Sequence, residues 1–114
     1  MIEIQKQGGP NVQILIISGK LEPDDAEVFQ AELMELTSRE KAAIVLDMVG
    51  LNHICSTALG ILISQHRRMR RLEGELKLVV EEGYVRNLLR MTMLDRVFPM
   101  FTSREDAVRT FAAI

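Results

Sequence analysis

The stretch Val45-Leu46-Asp47-Met48-Val49-Gly50-Leu51-Asn52-His53-Ile54-Cys55-Ser56-Thr57-Ala58-Leu59-Gly60 decides the fold. It is entered through Ala43-Ile44-Val45-Leu46, a nearly continuous apolar run of the kind that forms a central strand covered on both faces. Asp47 to Cys55 then reads as a connection containing Gly50 and Asn52. From Thr57 the spacing predicts a helix to about Arg71, with Ala58, Leu62, Met69 and Leu72 along one side. A buried strand thus delivers a loop, and the loop delivers two hydroxyls to the first turn of a helix. Backbone N–H groups there have no partner within the helix, so they can hold a serine hydroxyl or a phosphate. Ser56 or Thr57 can equally serve as a plain N-cap, a residue type worth about 1 kcal/mol.

Upstream, Ile2 and Ile4 alternate with Glu3 and Gln5, which is strand periodicity. Gly8-Gly9-Pro10-Asn11 is turn chemistry, and Val12 to Ser18 is a second strand, with Val12, Ile14 and Ile16 on one face. Pro10 cannot donate a ladder hydrogen bond and belongs in the loop. Glu22-Pro23-Asp24-Asp25 starts a helix, because proline is tolerated in the first turn and carboxylates there face the positive end of the dipole. Ala26, Phe29, Leu33 and Leu36 form its buried stripe.

Downstream, Gly74 is placed to cap the central helix. Leu76, Leu78 and Val80 form another strand, and Gly83 to Thr92 a third helix with Val85, Leu88 and Leu89 inward. Val97 to Phe101 holds a short edge strand. Ser103-Arg104-Glu105-Asp106 resembles a capping box and opens a last helix that buries Val108, Phe111 and Ala112. The order is β-β-α-β-α-β-α-(β)-α. Strands separated by helices imply right-handed crossovers, hence an α/β domain with a mixed sheet of four or five strands and about four helices.

Composition narrows the function. The 114 residues are 47% hydrophobic and 26% charged, the balance of one globular domain, taken here as residues 1–114. The formal net charge of -2 argues against nucleic-acid binding, which needs surplus cations against phosphate. The charge is polar along the chain, -5 over residues 1–60 and +3 over residues 61–114. Such polarity suits docking on another protein. One cysteine excludes an internal disulfide, no apolar run is long enough to span a bilayer, and the first residues lack a signal-peptide pattern. Cytoplasm is the expected location, with no membrane insertion.

The chain has no phosphate-binding glycine loop and no Gly-x-Ser-x-Gly elbow. His53, Cys55 and His66 do not converge by spacing on a metal site, and nothing assembles a base, an orienter and an oxyanion site around one position. No enzyme, catalytic residue, metal or cofactor is therefore expected. Arg67, Arg68, Arg70 and Arg71 read either as a docking patch or as solvated cations near the negative end of their helix. Met91, Met93 and Met100 would form an adaptable contact surface if exposed.

The element order, with Ser18-Gly19-Lys20-Leu21-Glu22, Leu46-Asp47-Met48-Val49-Gly50-Leu51, Ile54-Cys55-Ser56-Thr57-Ala58-Leu59-Gly60 and Tyr84-Val85-Arg86-Asn87-Leu88-Leu89, resembles the STAS domain of bacterial anti-sigma factor antagonists over nearly the whole chain. The resemblance implies a partner-switching protein. The unphosphorylated antagonist would bind a cognate anti-sigma factor that is also an ATP-dependent serine kinase, and a serine phosphatase would reset the switch. It places the phosphoacceptor at Ser56, with Thr57 as the alternative, and partner contacts at Glu22, Cys55, Ser56, Thr57, Ala58 and Leu59. Three positions depart from the family pattern. Cys55 replaces the aspartate before the acceptor, Ala58 replaces a glycine, and Glu22 replaces a shorter aspartate. These departures leave open a STAS scaffold that is not phosphorylated, or a transporter-associated subunit.

Overall fold

In the computed structural model, residues 1–9 and 11–112 are described. Pro10 lies outside them, as does the side chain of Ala112 assigned above to the last helix. Five strands form one sheet in the order β1-β2-β3-β4-β5. They are β1 (Ile2–Gly8), β2 (Gln13–Leu21), β3 (Ala43–Ile54), β4 (Glu75–Val79) and β5 (Met100–Phe101). β1 pairs antiparallel with β2, and the remaining neighbours are parallel. Four helices connect or follow them: α1 (Ala26–Thr37), α2 (Ser56–Arg71), α3 (Tyr84–Met91) and α4 (Arg104–Ala112). This is the mixed α/β arrangement expected from the sequence.

Strand alternation divides the core between two faces. Leu15, Ile17, Ile44, Leu46, Leu76 and Leu78 point to the face covered by α1, α2 and α3. There they meet Phe29 and Leu33 of α1, Ala58 and Leu62 of α2, and Val85 and Leu89 of α3. Val45 and Val79 point the other way, against Ala107 of α4, with Val12, Ile14, Phe101, Val108 and Phe111 around them. The face chosen from the sequence for β2, Val12 and Ile14, is thus the half-buried one. The fully buried positions are Leu15 and Ile17.

Three local outcomes differ from the sequence reading. β3 continues through Asp47 to Ile54 instead of ending at Leu46. Its second half, interrupted by Gly50, Asn52 and His53, is a strand because β2 pairs with it to the end, Leu21 opposite Ile54, through two register shifts. The approach is close at Gly50, where a Cβ would stand 2.7 Å from that of Ser18. Glu22-Pro23-Asp24-Asp25 forms a 3-10 turn before α1 begins at Ala26, with the Asp25 carboxylate accepting the Glu22 N–H at 3.0 Å. At the end of α2, Glu73 and not Gly74 takes the left-handed conformation, at φ 59°. The Glu73 N–H donates to Arg70 O at 3.2 Å and the Gly74 N–H to Met69 O at 2.8 Å, the paired bonds of a Schellman cap. Glycine is required at 74 because a Cβ would stand 2.8 Å from Ala42 O.

Candidate functional site

The carboxyl ends of β2, β3 and β4 bring the candidate residues to one end of the sheet. Leu21 closes β2, and its carbonyl accepts the Cys55 N–H at 2.9 Å. Glu22 therefore leaves β2 beside the point where Cys55 leaves β3. Cys55 is the N-cap of α2, with extended backbone angles of φ -82° and ψ 163° and no side-chain capping bond. Ser56 is the first helical residue. The first bond of the helix runs from the Leu59 N–H to Cys55 O at 3.2 Å, so the N–H groups of Ser56, Thr57 and Ala58 precede any helical partner. No acidic residue sits in this first turn. The positive end of a 16-residue helix is thus left without a capping oxygen or a carboxylate of its own.

The residues named from the sequence separate by exposure. Glu22, Ser56 and Thr57 are exposed. Cys55 is a buried free thiol, and Ala58 and Leu59 belong to the hydrophobic core. The segment is therefore a scaffold of three buried side chains that presents two hydroxyls. Ala58 has no accessible surface, which explains why a methyl stands where the resemblance expects hydrogen: it fills core volume.

The remaining candidates fall elsewhere. His53 stacks on Tyr84 with ring centroids 5.9 Å apart, whereas His66 meets the ring of Phe98 edge-on at 5.2 Å. Among the described residues no three His, Cys, Asp or Glu side chains are placed to hold a metal ion. A groove of about 810 Å³ opens by the first residues of β3 and β4 and takes in Val12, Ala43, Glu75 and Phe111. It lies at the opposite end of those strands from Ser56 and includes none of the candidate residues. Met91 and Met93 are exposed, but Met100 packs against the core, so the three methionines do not form one surface. No described helix is long and apolar enough to cross a membrane.

Sequence reasoning did not find the His53–Tyr84 pair. The two residues are distant in the chain, and only the pairing of β3 with β4 brings the start of α3 to the end of β3.

An exposed serine at the head of the helix that follows the central strand, in a β-β-α-β-α-β-α-β-α domain, defines a class. The STAS domain family profile matches residues 3–107, and the chain belongs to that family. A Bordetella bronchiseptica protein, BtrV, described as a candidate anti-sigma factor antagonist, is 29% identical over 98 residues, which span 86% of this chain and 84% of that protein. An anti-sigma factor antagonist from Mycobacterium paratuberculosis has the same fold, with a TM-score of 0.86 and 20% identity over 96% of this chain and 93% of its own. The Bacillus cell fate determinant SpoIIAA, in its phosphorylated form, superposes with a TM-score of 0.73 and 15% identity over 96% of this chain and 99% of its own.

Proposed function

We propose that this chain is an anti-sigma factor antagonist working by partner switching, with Ser56 as the phosphoacceptor. The observation that carries the reading is the position of Ser56: exposed, on a rigid core, at a helix end whose N–H groups precede any helical partner. Unmodified, the surface around Glu22, Ser56 and Thr57 docks on an anti-sigma factor that is also a serine kinase, and the sigma factor is freed. The kinase transfers the γ-phosphoryl of ATP to Ser56 Oγ. A new O–P bond forms, the β–γ bridge breaks, ADP leaves, and the hydroxyl proton passes to a base. Cys55 brings no carboxylate to that step, so the base belongs to the kinase.

The product carries roughly -1.5 to -2 charges at neutral pH. The helix end and its N–H groups tolerate that charge, so the fold survives phosphorylation. The docked interface does not, because a hydrated dianion must lose its water to stay there. A serine phosphatase hydrolyses the ester and restores docking. In this reading the protein is acted on by enzymes in the cytoplasm and has no catalytic residue or cofactor of its own.

The test is phosphate mapping by mass spectrometry after incubation with the purified anti-sigma factor kinase of the same organism and Mg-ATP. One phosphate is expected, retained in Thr57→Ala, absent in Ser56→Ala, and mimicked by loss of kinase binding in Ser56→Glu. The absence of both phosphate and kinase binding would overturn the proposal. Kinase binding without modification would make the chain a STAS scaffold instead.

A further inference from the structure

Two helices open at the carboxyl end of the sheet. α2 begins with Ser56, and α3, which follows the neighbouring strand, begins with Tyr84. Tyr84 is 58% exposed, a large fraction for an aromatic residue on a regular helix. Its ring lies nearly parallel to that of His53, with 23° between the planes. β3 and β4 are neighbours in the sheet, so the helices that follow them bring Ser56 and Tyr84 to the same end of the domain, where His53 lies near the end of β3.

The mount beneath the ring is firm. Val85 and Leu89 anchor α3 in the core, and Arg86 Nη1 donates to Val80 O at 2.7 Å. Arg90 Nη2 holds Glu82 at 2.6 Å, bracing the loop against the helix. A tyrosine has only two side-chain torsions to fix on binding, and a neighbouring ring already restrains them. Rigid exposed aromatics of this kind dominate binding energies at protein interfaces.

The Met1 ammonium pairs with Asp25, and Arg86 and Arg90 with Glu82, and the charges left at this end outside ion pairs have mostly one sign. Glu22 and Asp24 on the turn after β2, and Glu81 after β4, are exposed and form no ion pair among the described residues. Lys20 is the exposed cation beside them. Such a rim favours a basic partner surface and speeds its approach.

We infer that Tyr84, braced by His53, is the anchor by which the anti-sigma factor kinase recognises this chain, entering an apolar pocket rimmed by basic side chains. This rests on the partner-switching reading and adds to it a recognition residue outside the acceptor segment. Removing the phenol ring takes away the anchor, whereas removing only its hydroxyl leaves the stacked ring in place.

The experiment titrates the purified ADP-bound kinase into the unphosphorylated protein and its variants, each first checked for an unchanged melting curve. Tyr84→Ala is expected to weaken binding about 30-fold, the size of an interface hot spot. Tyr84→Phe should stay within about threefold, and His53→Ala should fall between them. Tyr84→Lys, which keeps the helix and sets a cation against a basic rim, should also lose binding, and raising salt should weaken the wild type. Wild-type binding with Tyr84→Ala and Tyr84→Lys both within about twofold would overturn the inference, the ordinary outcome for a peripheral contact. No wild-type binding would instead overturn the partner-switching reading and this inference with it.

Discussion

Arg104 grips Asp47 across the sheet, with Nε and Nη2 each 2.9 Å from Oδ2. The carboxylate is buried on β3, and its Oδ1 accepts the Val49 N–H at 3.0 Å. Arg104 opens α4 and also reaches Gln7 of β1 at 3.2 Å. One side chain therefore ties the last helix to the central strand and to the edge strand. α4 needs that tie, because the core beneath it is small: Val45, Val79 and Ala107, with partly buried neighbours.

Arg104→Ala should cost about 2 kcal/mol, since it leaves a buried carboxylate with one backbone donor, and Arg104 is itself a third exposed, which trims the loss from that of a fully buried pair. Urea denaturation checks it. A cost below about 0.5 kcal/mol, the ordinary value for a surface pair, would show that water replaces the guanidinium without penalty.

The cap of α2 offers a paired test. Glu73→Gly should stabilise the protein by about 0.5–1 kcal/mol, because φ 59° strains any residue with a Cβ. Gly74→Ala should destabilise it by about 1–3 kcal/mol, because its Cβ would press on the backbone of Ala42. Thermal melts of the two variants should move in opposite directions.

Thr37 and Gln65 join α1 to α2 by a buried hydrogen bond of 2.5 Å. Gln65→Leu should cost about 1–3 kcal/mol, the penalty of a buried hydroxyl left without its partner. Adding Thr37→Val should recover part of that loss, because an apolar pair no longer buries an unmatched polar group. A double mutant less stable than the single one would show that the bond is not the source of the cost.

His66 titrates below its ordinary value, because burial against Phe98 and then the nearby Arg70 charge disfavour the imidazolium. A group whose folded-state pKa is depressed binds its proton more readily when unfolded. Stability should therefore be complete above the unfolded-state value of about 6.5 and fall as pH drops through the range below it. His66→Phe should flatten that slope. An unchanged slope in denaturation curves at pH 7.5 and 5 would assign the dependence to other groups.

The element order was legible because each segment carries its own period. Ala26, Phe29, Leu33 and Leu36 recur at helical spacing and are all buried. The Ser103 cap was legible too: its Oγ accepts the Asp106 N–H at 3.1 Å. β3 beyond Asp47 was not, because Gly50, Asn52 and His53 interrupt its apolar residues and are held in a strand only through the ladder with β2. The candidate acceptor was visible as a hydroxyl at a helix start, and Ala58 as part of the apolar side of that helix, but the burial of Leu59 was not. An N-terminal turn has one face inward and one outward, and the orientation of the helix on the sheet decides which.

Local chemistry by itself therefore determined the helices and their buried stripes, the strand order along the chain and the presence of Ser56 at the head of α2, because propensity, capping and periodicity act over a few residues. The tertiary structure alone decided that Leu15 and Ile17 face the larger core, that Arg104 finds Asp47, and that His53 supports Tyr84 beside Ser56. Those relationships join residues far apart in the chain, and their energies exist only once the sheet has set its register.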